Sequence, residues 1–355
     1  MIRKLSAFVC LMLCVTAWGY TAERASVKIM TQNMDAGTDL TFAVGELLGS
    51  LPPGLGVELT YQEIQATNIP QRTALLAAKI ANEKPDLLAL QEATLWRTGA
   101  SVNTAATVLF DQLQLLLSDL AADGVTYGIV AVNSLLDVAL PKASGGALRI
   151  TDRDVLLIRA GRRPPEFHLS DVQAKTFDAA YSLGGLQVPS GWISAIVHTG
   201  NRHFRLATTH LQSPVPGDST SIAVQLAQAN QLIRELRNSA VPVVIAGDFN
   251  SDAILGTAGP GPDNTATAAL IQAAGYLDTW SLARRGPGPT WPFYVEDQSP
   301  PAFFVHSLPF ERIDLIFSQG LSVSDVERVL APGPSVNRWP YFASDHAGVL
   351  AVFQF

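Results

Sequence analysis

The polar residues that could do chemistry in this chain share one placement: each sits at or near the end of an apolar run. Asn33 and Asp35 follow Val27-Lys28-Ile29-Met30, and Gln91 with Glu92 follows Leu87-Leu88-Ala89-Leu90. His210 ends the run from Phe204, and Asp248 with Asn250 follows Val243-Val244-Ile245-Ala246-Gly247. Arg312 and Asp314 open Leu315-Ile316-Phe317, while Ser344-Asp345-His346 precedes the last apolar segment. Carboxylates, carboxamides and imidazoles gathered at strand ends are the equipment of metal-assisted hydrolysis. A phosphoryl group under attack carries charge that grows and shifts, so its site needs a hard divalent cation held by carboxylates, and neutral donors for the remaining oxygens. Glu92, Asp35 and Asp345 can serve the first need, and Asn33, Asn250 and His210 the second. The attacking water needs a base with a pKa near the working pH, which His346 paired with Asp314 can supply.

The elements that must position these residues alternate between strand and helix. Strands are expected at Val27 to Asn33, Asp86 to Gln91, Tyr127 to Val132, Asp154 to Arg159, Trp192 to His198, Phe204 to His210, Val241 to Ala246, Arg312 to Phe317, Val323 to Val329 and Gly348 to Phe353. Helical spacing marks Gln71 to Asn82, Ala105 to Ala121, and a segment running to about Asn238 that Ser219 or Thr220 can cap. The mixture points to α/β layers, and adjacent strands without an intervening helix, as from Trp192 to His210, require antiparallel pairing too. Irregular stretches at Thr38 to Pro70, Ser251 to Asp263 and Arg285 to Leu308 begin after or lie between the polar residues, as loops around a site do.

Composition narrows the function classes. With 48% hydrophobic and 15% charged residues, the chain has the apolar material of a packed protein, and a formal charge of -7 argues against a basic nucleic-acid-binding module. The first 22 residues read as a secretory leader: Arg3 and Lys4, an apolar stretch from Leu5 to Ala17, and a small residue at Ala22. Its removal takes the charge from -7 to -9, because two cations and no acid leave, and it removes both cysteines, Cys10 and Cys14. The mature part, residues 23–355, then has no disulfide or thiolate chemistry, and any metal must be held by oxygen or imidazole. Export to the periplasm or the exterior is expected.

The segments QNMDAG, LLALQEA, TTHLQSP, VVIAGDFNSD, ERIDLIF and SDHAGV follow the order and spacing of the endonuclease/exonuclease/phosphatase superfamily, which the chain resembles from Lys28 to Phe355. That superfamily includes pancreatic-type deoxyribonucleases, abasic-site endonucleases, inositol polyphosphate 5-phosphatases and bacterial sphingomyelinases. The resemblance implies one catalytic domain of two packed mixed β-sheets flanked by helices, a four-layer α/β sandwich. It implies Glu92 as principal Mg²⁺ ligand, with Mn²⁺ or Ca²⁺ as alternative ions, aided by Asn33, Asp35 and Asp345. His346 is implied as general base or phosphate-contacting imidazole oriented by Asp314. Asp248 and Asn250 would flank the scissile phosphate, and His210 would donate to a phosphoryl oxygen. The base is left open between Asp248 and His346. The chain departs from many relatives at Thr151-Asp152-Arg153-Asp154, where they carry an asparagine, tyrosine or glycine that helps hold the phosphate.

A secreted phosphodiesterase of nucleic acid is the leading expectation, monomeric and without an obligate protein partner. A phospholipid or sphingomyelin phosphodiesterase, or a small-molecule phosphatase, is the alternative on the same fold. A silent binding protein is disfavoured because Glu92, Asp248, Asp314 and His346 are all present. Arg312 reads as the structural partner of a carboxylate rather than a phosphate clamp. Thr290 to Tyr294 and Phe303-Phe304 could stack on bases or dip into lipid, though core and loop packing is favoured, and His168, His198, His203 and His306 read as ordinary surface or strand residues.

Overall fold

A computed structural model of the protein describes residues 26–161, 167–254, 265–296, 303–334 and 339–355. The expected leader, with Cys10 and Cys14, lies outside them. One sheet has eight strands. Its order is Ser322–Val329, Gly348–Gln354, Ser26–Asn33, Leu87–Gln91, Ala147–Arg159, Leu95–Gly99 and Thr107–Asp111, with Tyr127–Pro141 also pairing to Ala147–Arg159. The second sheet has six strands: Leu277–Asp278, Asp314–Gln319, Val243–Asp248, Arg202–His210, Gly191–Thr199 and Phe167–Thr176. Each is mixed. Ser26–Asn33 runs parallel to Leu87–Gln91, and Arg202–His210 parallel to Val243–Asp248, while the remaining pairings are antiparallel.

Alternation along the strands builds the layers. Val27, Ile29, Leu156, Val349 and Phe353 from the first sheet meet Ile193, Val197, Leu206, Val244 and Ile316 from the second in one dry interior. The other face of the first sheet, with Met30, Leu88 and Leu157, packs on Leu76 and Ile80 of the helix Ile69–Glu83 and Leu113, Leu116 and Leu120 of Gln112–Ala122. The other face of the second sheet, with Trp192, Val243 and Ile245, packs on Leu232 and Leu236 of Ser219–Leu236 and Ile271 of Thr267–Ala273. Helices, sheet, sheet and helices form the α/β sandwich expected from sequence.

Several boundaries differ from the sequence reading. The expected helix from Ala105 begins only at Gln112, where Asp111 caps it by accepting from the Gln114 N–H at 3.2 Å. Thr107–Asp111 is a strand instead, paired with Leu95–Gly99, because the apolar helical face starts at Leu113 and Val108 points outward. The helix expected to be capped by Ser219 or Thr220 is capped by Asp218. Thr38 to Pro70 is not irregular: it folds as the helices Thr41–Leu47 and Leu55–Ala66, whose N-cap residues, Leu40 and Gly54, have no side chain that can cap. Tyr127–Pro141 and Ala147–Arg159 form a hairpin far longer than the two short strands expected. Arg285 to Leu308 contains the small hairpin Tyr294–Glu296 with Phe304–His306, and residues 255–263 of the Ser251 to Asp263 stretch lie outside the described residues.

Candidate active site

Strand register decides where the polar residues meet. Asn33 stands opposite Gln91, His210 opposite Asp248, and Asp248 opposite Asp314, so both parallel pairs end, and the Asp314 strand begins, at the same rim of the sandwich. Beneath that rim the two sheets are tied by a buried polar link, in which Thr31 Oγ1 donates to Gln91 Oε1 at 3.0 Å and Gln91 Nε2 donates to Thr208 Oγ1 at 3.2 Å. A buried amide bonded at both ends resists sliding, because any shift leaves unpaired polar groups. Gly247 makes the second sheet's part of the rim possible: a Cβ there would lie 2.0 Å from the Thr209 carbonyl oxygen on the parallel neighbour. Gly247→Ala is expected to force the two strands apart, lower stability by about 1–3 kcal/mol and reduce kcat at least about tenfold, measured by thermal melting and turnover.

Asn33 is the hub. Its Nδ2 donates to Glu92 Oε1 at 2.8 Å and to Asp248 Oδ2 at 3.0 Å, joining a residue of each sheet, while its Oδ1 accepts from the Asp35 N–H at 2.9 Å. Glu92 Oε2 accepts from the Ala36 N–H at 2.8 Å, and Glu92 holds a left-handed backbone with φ 53°, an uncommon conformation for this residue type that turns its side chain out of the strand. His346 is fixed on three sides: Nδ1 lies 2.8 Å from Asp314 Oδ2, its N–H donates to Ser344 Oγ at 3.0 Å, and its carbonyl accepts from Gln32 Nε2 at 3.3 Å. Nε2 is thereby left toward the site, 3.9 Å from Asp345 Oδ1. His210 Nε2 lies 3.6 Å from Asp248 Oδ2. Asp345 Oδ2 accepts from Trp291 Nε1 at 2.9 Å, which brings the Trp291 ring to 6.3 Å from the His346 ring.

Not every expected site residue points inward. Asp35 lies beside the cluster, but its Oδ2 takes Arg72 Nη1 at 2.9 Å and the Tyr294 hydroxyl, and its Oδ1 takes the Gly37 N–H at 2.6 Å. Arg72, almost wholly buried, also donates to the Ala343 carbonyl at 2.9 Å, so this ion pair welds the loop after Asn33 to the segment before Asp345. Asn250 anchors the loop after Asp248: its Nδ2 donates to the Leu211 carbonyl at 3.0 Å, and its own carbonyl accepts from Gln225 Nε2 at 2.8 Å. Arg312 pairs with Asp278 through both guanidinium nitrogens at 3.1 and 2.8 Å, a structural role as read from sequence. Phe293, Tyr294, Phe303 and Phe304 are packed with Phe42 and Phe342.

Sequence reasoning passed over Asp152 and Asp154 as a departure from pattern, and over Arg72 entirely. Both carboxylate oxygens of buried Asp154, and Oδ1 of Asp152, lack a hydrogen-bond partner. A carboxylate opening the apolar run Val155-Leu156-Leu157 is the signal that could have found Asp154. Arg153, between them, donates to the Ala93 carbonyl at 2.7 Å and so secures the loop after Glu92.

The field of this cluster is strongly negative. Burial pushes the His346 imidazole down, yet Asp314, Asp345 and Asp248 outweigh it and hold its pKa well above the ordinary range. His210 follows the same balance, with Asp248 and Glu92 lifting it to about 9 against burial. Burial raises Asp345 to about 7, His346 opposing and Asp35 and Glu92 reinforcing. Burial likewise raises Asp152 to about 6 and puts Asp154 well above the carboxylate range. Folded His210 binds its proton more tightly than the unfolded chain does, so its stabilisation is complete below pH about 6.5 and is lost as pH rises through 9. Folded Asp345 also binds its proton more tightly, so its ionisation opposes folding progressively from pH about 4 to 7. Both act in one direction, and the melting temperature in chelator is expected to fall from pH 5 to pH 9 by about 5 °C, with a divalent cation reversing the loss.

The donor set is oxygen and imidazole, which suits a hard cation. Each Glu92 oxygen accepts a single hydrogen bond among those described and keeps a lone pair, and buried Asp314 Oδ1 has no partner. Among the described residues, Asp248, Asp314 and His346 place ligand atoms within 4.8 Å of one another.

A two-sheet sandwich carrying acids, an amide hub and carboxylate-held imidazoles on one rim is a DNase-like phosphoesterase architecture. The sequence matches the endonuclease/exonuclease/phosphatase family over residues 63–346, and the chain belongs to that family, whose members are divalent-metal-dependent phosphoesterases. The structure is similar to that of an endonuclease/exonuclease/phosphatase from Beutenbergia cavernae, with a TM-score of 0.57 at 21% identity, covering 94% of this chain and 72% of that one. A Bacteroides thetaiotaomicron family protein gives 0.57 at 13% identity, covering 94% and 99%. D. rerio TDP2, in complex with a single-strand DNA product, gives 0.53 at 14% identity, covering 93% and 100%. No curated protein sequence matches significantly.

Proposed function

We propose that this chain is an exported, monomeric, Mg²⁺-dependent phosphodiesterase that hydrolyses nucleic acid by attack of water on phosphorus. The observation that carries the reading is the convergence of Glu92, Asp248 and the His346–Asp314 pair around Asn33 at one rim. Glu92 and Asp345 would hold the cation, with Asn33 and the Arg72-paired Asp35 fixing the loops that carry them. A divalent ion there, Mg²⁺ with Mn²⁺ or Ca²⁺ as substitutes, supplies charge neutralisation for the phosphoryl oxygens.

The protein's own groups divide the remaining work. Asp314, held at Nδ1, favours the protonated form of His346, whose Nε2 would donate to a phosphoryl oxygen, and His210 beside Asp248 would do the same from the opposite sheet. A protonated imidazole cannot take the proton of water. Asp248, held by Asn33 between the two imidazoles, orients the water and accepts that proton. Asn250 keeps Asp248 in place by tying its loop to Leu211. Half-buried Trp291 beside His346, with Phe310 at 6.0 Å and 61% exposed, offers a surface on which a base can stack. The likeness to a protein crystallised with a single-strand DNA product supports the same substrate class.

One observation favours lipid as a second reading. Val295 and Val305, paired across the small hairpin, are 42% and 43% exposed, and Leu308 next to it is 79% exposed. Residues 23–355 assayed in parallel on supercoiled plasmid and on sphingomyelin vesicles, with Mg²⁺ and with chelator, separate the two. Chelator-sensitive nicking without phosphocholine release is expected. Phosphocholine release without nicking would transfer the function to lipid, and silence on both would leave small phosphate esters.

A further inference from the structure

Three of the four histidines without a motif are not scattered, while His306 lies apart beside Tyr341 and Phe342. His198 stands directly opposite His168 on one neighbouring strand and directly opposite His203 on the other. Residues opposite one another in adjacent strands share a sheet face, so three imidazoles form a row across Phe167–Thr176, Gly191–Thr199 and Arg202–His210. The face is the outer one: Ile193, Ala195 and Val197 enter the interior between the sheets, whereas Trp192, in phase with His198, lies on the helix side. The His168 and His198 rings are parallel with centroids 4.3 Å apart, and the His198 and His203 rings are 5.4 Å apart. Ser170 Oγ lies 2.7 Å from His198 Nε2.

We propose that His168, His198 and His203 form a second metal site, selective for a borderline transition ion such as Zn²⁺ or Cu²⁺ and separate from the Mg²⁺ centre. Three imidazoles plus water is a recurrent donor set for these ions, whereas Mg²⁺ prefers oxygen. The two centres therefore sort cations by ligand chemistry. The rings are stacked rather than convergent, so ligation requires the imidazoles to rotate toward a common point and His198 Nε2 to leave Ser170, at a row in which His203 is exposed. His203 and His210 lie at opposite ends of the strand Arg202–His210, on the order of 23 Å apart at about 3.3 Å per residue, so the row cannot share a ligand with the rim.

The test is a Cu²⁺ and Zn²⁺ titration of the whole protein in millimolar Mg²⁺, with Cu²⁺ electron paramagnetic resonance reporting nitrogen ligation. Wild type is expected to bind one equivalent with a multi-nitrogen spectrum. His198→Ala and, at the exposed position, His203→Ala should each weaken that binding about a hundredfold, while Mg²⁺-dependent turnover and the melting temperature in chelator stay at wild-type values. Absence of a one-equivalent site in wild type, or its persistence in a variant lacking all three imidazoles, would overturn the proposal.

Discussion

His346→Ala is expected to lower kcat by a factor on the order of 10³ while leaving a folded protein. His346 is the imidazole that Asp314, Asp345 and Asp248 surround, and its Nε2 is the nitrogen left over once Nδ1 has been taken by Asp314 at 2.8 Å. Truncation removes that donor and leaves Asp314, already without a partner on Oδ1, buried among acids. Asp314 then takes up a proton at a cost of about 1–3 kcal/mol, which the three-part apolar interior can absorb. Asp314→Asn should show a smaller loss, since the ring stays in place while its charge and orientation are loosened. Turnover and circular dichroism on both variants read the two effects separately, and unchanged turnover in His346→Ala would remove the residue from the mechanism.

Glu92→Ala should shift the Mg²⁺ concentration for half-maximal activity upward by about a hundredfold or more, with kcat falling as well. Glu92 accepts from Asn33 and from the Ala36 N–H, so its loss also frees the amide that positions Asp248. Asp35→Asn separates the two kinds of acid at this rim. Its carboxylate is committed to Arg72 and Tyr294, and its neutralisation strands a buried guanidinium, so stability should fall by about 3–5 kcal/mol with only a modest change in apparent Mg²⁺ affinity. A large rise in the Mg²⁺ requirement with unchanged melting would instead make Asp35 a ligand.

Strand-end chemistry was legible because it is local. An apolar run closing in Leu90-Gln91-Glu92 or Ala246-Gly247-Asp248 announces both a buried strand and the polar group at its rim, and the structure places both there. What the sequence hid is contact between distant segments. Arg72 is a single cation on an ordinary helix, and nothing near it says that it reaches Asp35 and Tyr294, 37 and 222 residues away. Asn250 follows Asp248 in a phosphate-site pattern, yet its carboxamide is used on the Leu211 carbonyl, a partner set by the parallel pairing of two strands. The helices between Thr38 and Pro70 escaped because Leu40 and Gly54 begin them without a capping side chain. The histidine row was invisible for a related reason: His168 joins it only through strand register.

The measurement that bears most directly on the central claim is an anomalous-scattering map from crystals of the protein grown with Mn²⁺. A peak against the Glu92 carboxylate, within reach of Asp345, is the predicted result. Full turnover in chelator together with no peak at Glu92 would contradict a metal-dependent phosphoesterase centre at this rim.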